Sequence, residues 1–288
     1  MGANGGESRR VLIAGAGGGI GRAVARAFAR EQASLALTGR TREPLELTRA
    51  ECADAGAPAI WVETCDISRP QPVADLVAGA EKALGGIDVL VNAVGVHGAI
   101  GPIQDCDPDA WLRALEVNLF GSFLLARAVV PGMLARGGGR VILFSGGGAT
   151  KPLPCFSAYG ASKAGVVRLV ETAAEELAPH VQVNAIAPGL VDTAILDNVL
   201  AAGARAGDEY EQVRRMRAGE AHGVPGELAG ELAVFLGLHA GDELTGRLIS
   251  APHDPWREWR DGAAPDDGLY TLRRLDRHTV RPLLGALS

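Results

Sequence analysis

The sequence contains no dense Lys/Arg run: 28 basic residues stand against 34 acidic ones, for a formal charge of −6. That balance excludes the electrostatic footprint a nucleic acid or an anionic membrane surface would need, and leaves a small molecule as the expected partner. Cysteine is scarce. Cys52, Cys65, Cys106 and Cys155 are too dispersed for a CxxC metal site, so no metal is expected, and in a reducing compartment they remain free thiols. The opening MGANGGES lacks the cationic start and apolar stretch of a secretory signal, and no later segment reads as an uninterrupted apolar run of membrane-spanning length. These absences predict a cytoplasmic protein with neither membrane nor nucleic acid among its partners.

Apolar residues are plentiful. With 288 residues, 47% hydrophobic, the chain can bury a sizeable core. Short apolar runs at 11–14, 35–38, 59–62, 89–92, 141–144, 181–186 and 247–249 read as buried parallel strands. Between them, 20–31, 43–55, 73–83, 108–136, 158–177 and 225–238 read as helices, with Pro108 and Pro225 as first-turn residues. This alternation predicts an α/β fold, a doubly wound parallel sheet with helices on both faces. Residues 1–8 read as a flexible tail, 9–250 as one undivided domain, and 251–288, rich in Pro, Asp, Arg and aromatics, as a C-terminal extension.

The run Ala14-Gly15-Ala16-Gly17-Gly18-Gly19-Ile20-Gly21 follows the first strand and opens the first helix. Glycine allows a tight turn and lets a ligand approach the backbone, so N–H groups at the helix N-terminus can face a pyrophosphate. An ordinary glycine-rich connection would look the same in isolation. Farther on, Tyr159-Gly160-Ala161-Ser162-Lys163 places a phenol and an ammonium four residues apart on one helix face. A free phenol titrates near 10, so acid/base work at neutral pH needs a nearby positive charge, which Lys163 together with an oxidised nicotinamide could supply. YxxxK alone also occurs on surface helices; its place downstream of the glycine turn gives it weight.

These motifs, with Asn184-Ala185-Ile186-Ala187-Pro188-Gly189 and Thr193 on the nicotinamide side, resemble the short-chain dehydrogenase/reductase family over residues 9–250. The resemblance implies a Rossmann-like single domain in which Gly15, Gly19, Ile20 and Gly21 cradle a dinucleotide. It also implies that Asp66, with Ile67, contacts the adenine, although a carboxylate capping the next helix reads the same way. Asn92 and Gly95, in an altered Asn92-Ala93-Val94-Gly95, stand for the family's NNAG. The position of the NAD-selective carboxylate holds Gly39, followed by Arg40. A guanidinium there can bind a 2′-phosphate, so NADP(H) is favoured and NAD(H) remains possible. The other reading leaves Arg40 in solvent, and Arg42 either assists or is solvated.

By the same resemblance Tyr159 exchanges a proton with the substrate oxygen, Lys163 also binds the nicotinamide ribose, and Asn118 holds a proton-relay water. Asn118 could equally be a polar residue bonded within its own helix. The family's catalytic serine is missing: its register position is Gly146, and the neighbouring hydroxyl is Ser145. Loss of one such donor can lower a rate about a hundred- to a thousandfold. Three explanations stay open: Ser145 is shifted into place, a backbone N–H of Gly146 or Gly147 or a water substitutes, or the chemistry is one in which that donor matters less. Near the substrate stand His97, Gly146, Cys155 and Phe156; His97 could also be a solvated loop histidine, and Cys155 has no visible activating partner.

The expected activity is interconversion of a carbonyl and an alcohol on a small molecule by hydride transfer. An epimerase-like, non-redox or sensor role on the same fold is the alternative. A homodimer or homotetramer joined through the helices at 108–136 and 158–177 is implied. Residues 194–219 correspond to a variable lid. The extension, with His253, Trp256, Trp259, Tyr270, Arg273 and Arg274, either packs across the pocket or a neighbouring subunit, or is a loose tail.

Overall fold

The computed structural model describes residues 8–261 and 269–272. All seven apolar runs become strands, β1 (Arg10–Ala14), β2 (Ser34–Gly39), β3 (Ile60–Thr64), β4 (Val89–Asn92), β5 (Gly139–Phe144), β6 (Val181–Ala187) and β7 (Leu248–Ser250), in one parallel sheet ordered β3-β2-β1-β4-β5-β6-β7. The strand order reverses between β1 and β4, which opens a crevice beyond the strand carboxyl ends where such sheets place ligands.

The strands alternate between two cores. Val11 and Ile13 join one cluster and Leu12 and Ala14 the other, and Val89 and Val91 part from Leu90 in the same way. The first core is closed by α1 (Gly19–Arg30), α2 (Arg42–Asp54) and α9 (Gly226–Val234), and the second by α3 (Pro70–Leu84), α5 (Gly121–Ala135) and α6 (Ser157–Leu177). Burial of both strand faces explains why the runs read as continuously apolar rather than alternating.

The long helix expected at 108–136 is present, divided into α4 (Pro108–Leu115), a π-helical turn Glu116–Phe120, and α5. Contrary to the expectation that no segment approaches a membrane span, Pro108–Ala135 is long and apolar enough to cross one by length and composition, and 44% of its most apolar stretch is buried within the fold. Leu124, Leu125, Val129 and Met133 are apolar because they pack on the sheet, while Leu112, Phe120, Phe123 and Leu134 add apolar surface on the outer side.

Two helices were not visible in the sequence pattern of the lid: α7 (Asp197–Ala202) and α8 (Asp208–Arg217). In α8 only Val213 and Met216 are buried, too few to produce an apolar period. Its stability comes instead from acidic residues in the first turn and Arg214, Arg215 and Arg217 in the last, which complement the helix dipole. With Phe156, Leu196 and Val199 these helices form a third, smaller apolar cluster over the crevice.

The described part of the extension packs on its own chain. Trp256 is fully buried and Trp259 nearly so, both within the first core. The Trp256 indole N–H donates to Ala251 O at 3.0 Å, and its ring lies 5.8 Å from that of Phe235. The Leu248 N–H donates to Tyr270 O at 2.7 Å, so returning chain lines the outer edge of β7. The Leu272 N–H reaches the Glu171 carboxylate on α6 at 2.5 Å. Core packing therefore continues past residue 250. Arg273 and Arg274 lie outside the described residues.

Candidate active site

The crevice is a cavity of about 1100 Å³ running from the glycine turn to Tyr159. At one end β1 feeds directly into the turn, whose Gly15 and Ala16 N–H groups donate to Thr38 O at 2.9 and 3.0 Å. Gly15 and Gly19 have φ of +83° and +51°, a region that disfavours side chains. A β-carbon on Gly19 would stand 2.8 Å from Thr193 Cγ2, and one on Gly21 would run into Gly15 O. A β-carbon on Gly18 meets nothing within 4 Å because it points into open space. Gly18 caps α1 without a side chain and the first turn carries no acid, so the positive helix end is left to the cavity. Gly15, Gly19, Ile20, Pro188, Gly189 and Thr193 all border this end; Gly21 lies behind it, where it allows α1 to meet the turn.

Gly39 and Arg40 also border the cavity. The Arg42 guanidinium is engaged elsewhere, donating to Val62 O at 3.1 Å and to Glu46 at 3.3 Å. Asp66 and Ile67 line the wall. Asp66 accepts from the Ser68 hydroxyl at 2.6 Å, the Ser68 N–H at 3.0 Å and Arg113 at 3.1 Å. Burial pushes this carboxyl up, but the Ser68 and Arg113 hydrogen bonds outweigh it and hold the group below its usual range. Sequence reasoning missed Arg113, which is distant in sequence; Ser68, two residues after Asp66, is the recognisable partner of an Asp-initiated turn.

Two expected asparagines do not face the cavity. Asn92 is buried at the end of β4, donating to the Ser122 hydroxyl at 2.9 Å and accepting from Val94 N–H at 3.1 Å. Asn118 sits in the middle of the π-helical turn. It clamps the loop after β4 by accepting from Val96 N–H and donating to Val96 O, both at 2.8 Å, and it donates to the Ser162 hydroxyl at 2.8 Å. Gly95 does border the cavity, and a β-carbon there would stand 3.4 Å from Lys163 Nζ.

Tyr159 and Lys163 share one face of α6 at the far end of the cavity. The Lys163 ammonium donates to Phe144 O at 2.8 Å and lies 5.9 Å from the centre of the Tyr159 ring. Burial pushes the lysine down to about 8 and the phenol up to about 12. Lys163 alone does not bring the phenol toward the neutral range, a task expected from the sequence to fall to Lys163 together with an oxidised nicotinamide.

Ser145 borders the cavity, and its buried hydroxyl donates to Lys163 O at 3.2 Å. Gly146 is extended, and a β-carbon on it would run into Tyr159 Oη. The phenol oxygen thus occupies the space a side chain at 146 would need. Phe156 lines the cavity, whereas Cys155, at φ +68°, does not; its sulfur lies 3.5 Å from where a β-carbon on Gly207 would stand. His97 is 7% exposed and lines the cavity between Phe156 and Tyr159, at ring-centre distances of 5.3 and 5.1 Å, edge-on to both. Burial, aided by the Lys163 charge, pushes it down to about 4, so the ring is neutral at physiological pH.

The lid contributes Leu196, Val199, Glu209 and Gln212 to the same cavity, and the extension contributes His253, Asp254, Tyr270 and Thr271. His253 and Tyr270 were among the extension residues expected across the pocket and 194–219 was expected as a lid, whereas Leu196, Val199, Glu209, Gln212, Asp254 and Thr271 were not singled out individually. Among the described residues no cluster of His, Cys, Asp and Glu could hold a metal ion.

A glycine turn at the switch point of a parallel sheet, with a tyrosine and lysine paired at the opposite end of one cavity, defines a dinucleotide-type oxidoreductase site. The chain belongs to the short-chain dehydrogenase family, whose model matches residues 9–203. It is 32% identical over 239 residues to human dehydrogenase/reductase SDR family member 4, covering 83% of this chain and 84% of that protein. Among solved structures, NAD+-bound xylitol dehydrogenase superposes with a TM-score of 0.78 at 29% identity, covering 84% of this chain and 96% of that one. An actinorhodin polyketide ketoreductase with NADPH superposes at 0.75 and 29% identity, over 84% and 95%.

Proposed function

We propose that the protein is an NADP(H)-preferring oxidoreductase that interconverts a carbonyl and an alcohol on a small molecule. The observation that carries this reading is the single cavity joining the bare glycine turn to Tyr159 Oη. The uncapped first turn of α1 suits a pyrophosphate. The space in front of Gly18 admits one without steric conflict. When bound, the dinucleotide supplies the hydride chemistry at its nicotinamide ring.

The chain's own residues do the rest. Asp66, held ionised by Ser68 and Arg113, accepts hydrogen bonds at the adenine end. Lys163, held by Phe144 O beside Gly95, would bind the nicotinamide ribose. Tyr159 exchanges the proton at its Oη, and positive charge brought into the site is what draws the phenol down from about 12. The apolar wall of Phe156, Leu196 and Val199 suits a substrate with a hydrophobic body. The exposed apolar residues Leu112, Phe120, Phe123 and Leu134 support assembly as a homodimer or homotetramer.

Preference for the phosphorylated cofactor rests on Arg40, which borders the cavity while Arg42 is engaged elsewhere. Titration with both dinucleotides and absorbance at the reduced-nicotinamide band across ketones and alcohols tests the activity. Tight binding with no turnover of any substrate would instead support a sensor or net-neutral enzyme. Arg40→Ala is expected to weaken NADPH about tenfold while leaving NADH unchanged; equal losses for both would refute the assignment.

A further inference from the structure

A carbonyl oxygen taking up charge needs more than one hydrogen-bond donor, and removing one such donor commonly lowers turnover about a hundred- to a thousandfold. Around Tyr159 Oη the candidate side chains are few. The Ser145 hydroxyl is spent on Lys163 O, the Lys163 ammonium donates to Phe144 O, and Gly146 has no side chain. The Asn118 amide is turned away into its clamp on Val96 and Ser162.

Another polar side chain stands against the phenol, and it is unusual. His97 is 7% exposed, yet its Nδ1 is sealed from solvent without a hydrogen-bond partner. A buried, unpaired ring nitrogen costs about 1–3 kcal/mol unless something satisfies it. The ring packs edge-on between Phe156 and Tyr159, at 5.3 and 5.1 Å between ring centres. It borders the cavity beside Tyr159. Nδ1 is closed to a ligand as it is to solvent, so the atom the ring offers to the cavity is Nε2, which makes no hydrogen bond among the described residues.

We propose that His97 is a catalytic residue which hydrogen-bonds through its ring to the same substrate oxygen that Tyr159 protonates, in the role that no side chain at Gly146 can fill. The inference rests on the oxidoreductase reading above. A neutral imidazole carries one N–H, so it donates without adding a charge beside Lys163. Its burial-depressed titration keeps it in that form across the physiological range.

The test uses the full-length chain, with His97→Leu to remove the donor and His97→Asn to restore an N–H on a shorter side chain. Turnover is measured with NADPH on a panel of aryl ketones, cyclic ketones and β-keto esters, and NADPH affinity by fluorescence titration. His97→Leu is expected to lower kcat about a hundred- to a thousandfold with NADPH affinity unchanged, and His97→Asn to recover at least about tenfold of that loss. Turnover of His97→Leu within about threefold of wild type would overturn the proposal and hand the role to the N–H groups of Gly146 and Gly147. Equal losses in both variants would overturn it as well, since only packing would then be at stake.

A second measurement covers a variant that fails to fold, or a wild type that binds dinucleotide but turns over no ketone, which by itself defeats only the oxidoreductase reading. In wild-type chain carrying ¹⁵N-labelled histidine, acetophenone added to the NADP+ complex is expected to shift the ring signal that His97→Asn removes. An unmoved signal at saturating acetophenone refutes the role of His97.

Discussion

The two ends of the cavity are built by different means. The glycine-turn end is made of backbone: β1, the Gly15–Gly19 loop and the first turn of α1, with hardly a side chain in the way. The tyrosine end is made of side chains from distant elements, with α6, the loop after β5, the lid helices and the extension all contributing. A backbone-built site tolerates little change in residue type but any change in its surroundings; a side-chain-built site can be rearranged position by position. At the tyrosine end Gly146 stands against the phenol and His97 lies beside it.

The largest effect should come from breaking the chemistry while sparing the backbone end. Tyr159→Phe is expected to lower turnover about a hundred- to ten-thousandfold, with dinucleotide affinity unchanged by titration. A parallel loss of affinity would show that the two ends are not separable. The converse substitution is Gly19→Val, whose branched side chain meets Thr193 at a φ of +51°. Strain and overpacking together predict about a ten- to hundredfold loss of dinucleotide affinity, while Tyr159 and its neighbours stay in place by NMR or crystallography.

A sharper comparison comes from restoring the missing hydroxyl. In Gly146→Ser the β-carbon collides with Tyr159 Oη and displaces the phenol. Turnover is expected to fall about tenfold, and a clear rise would show that the phenol moves aside without penalty. The smallest effect concerns pH. His97 is held down at about 4 in the folded chain, below its ordinary value, so it contributes stability that is present above about 6.5 and lost as pH falls through 4. The charged neighbour that faces it is Lys163, protonated throughout this window. His97→Phe is expected to flatten the urea-midpoint profile between pH 6.5 and 4, by at most about 1.4 kcal/mol per pH unit. An unchanged slope would place the ring in a wetter setting than the structure gives it.

The layered fold was legible because both faces of each strand are buried, and uninterrupted apolar runs such as 89–92 and 181–186 leave few alternatives. The glycine turn was legible because positive φ and close neighbours disfavour a side chain at Gly15 and Gly19. The lid helices were not, because α8 buries only Val213 and Met216 and is set by charge at its ends. Asn92 and Asn118 were placed in the right neighbourhood, but their spacing could not show that both amides are consumed inside the protein. Cys155 was expected at the pocket wall, and its positive φ turns it away. The depth at which Tyr159 and Lys163 are buried was not legible either, since four-residue spacing along a helix says nothing of it.

The hydrogen bond from Leu248 N–H to Tyr270 O has a consequence for how copies of the molecule meet one another. An open parallel edge invites another strand to add on, and here the chain's own return occupies that place before a stranger can. With Trp256 wedged beside Phe235, the segment works as a self-supplied bumper along the outermost strand. Addition of a foreign strand at Leu248 is thereby blocked.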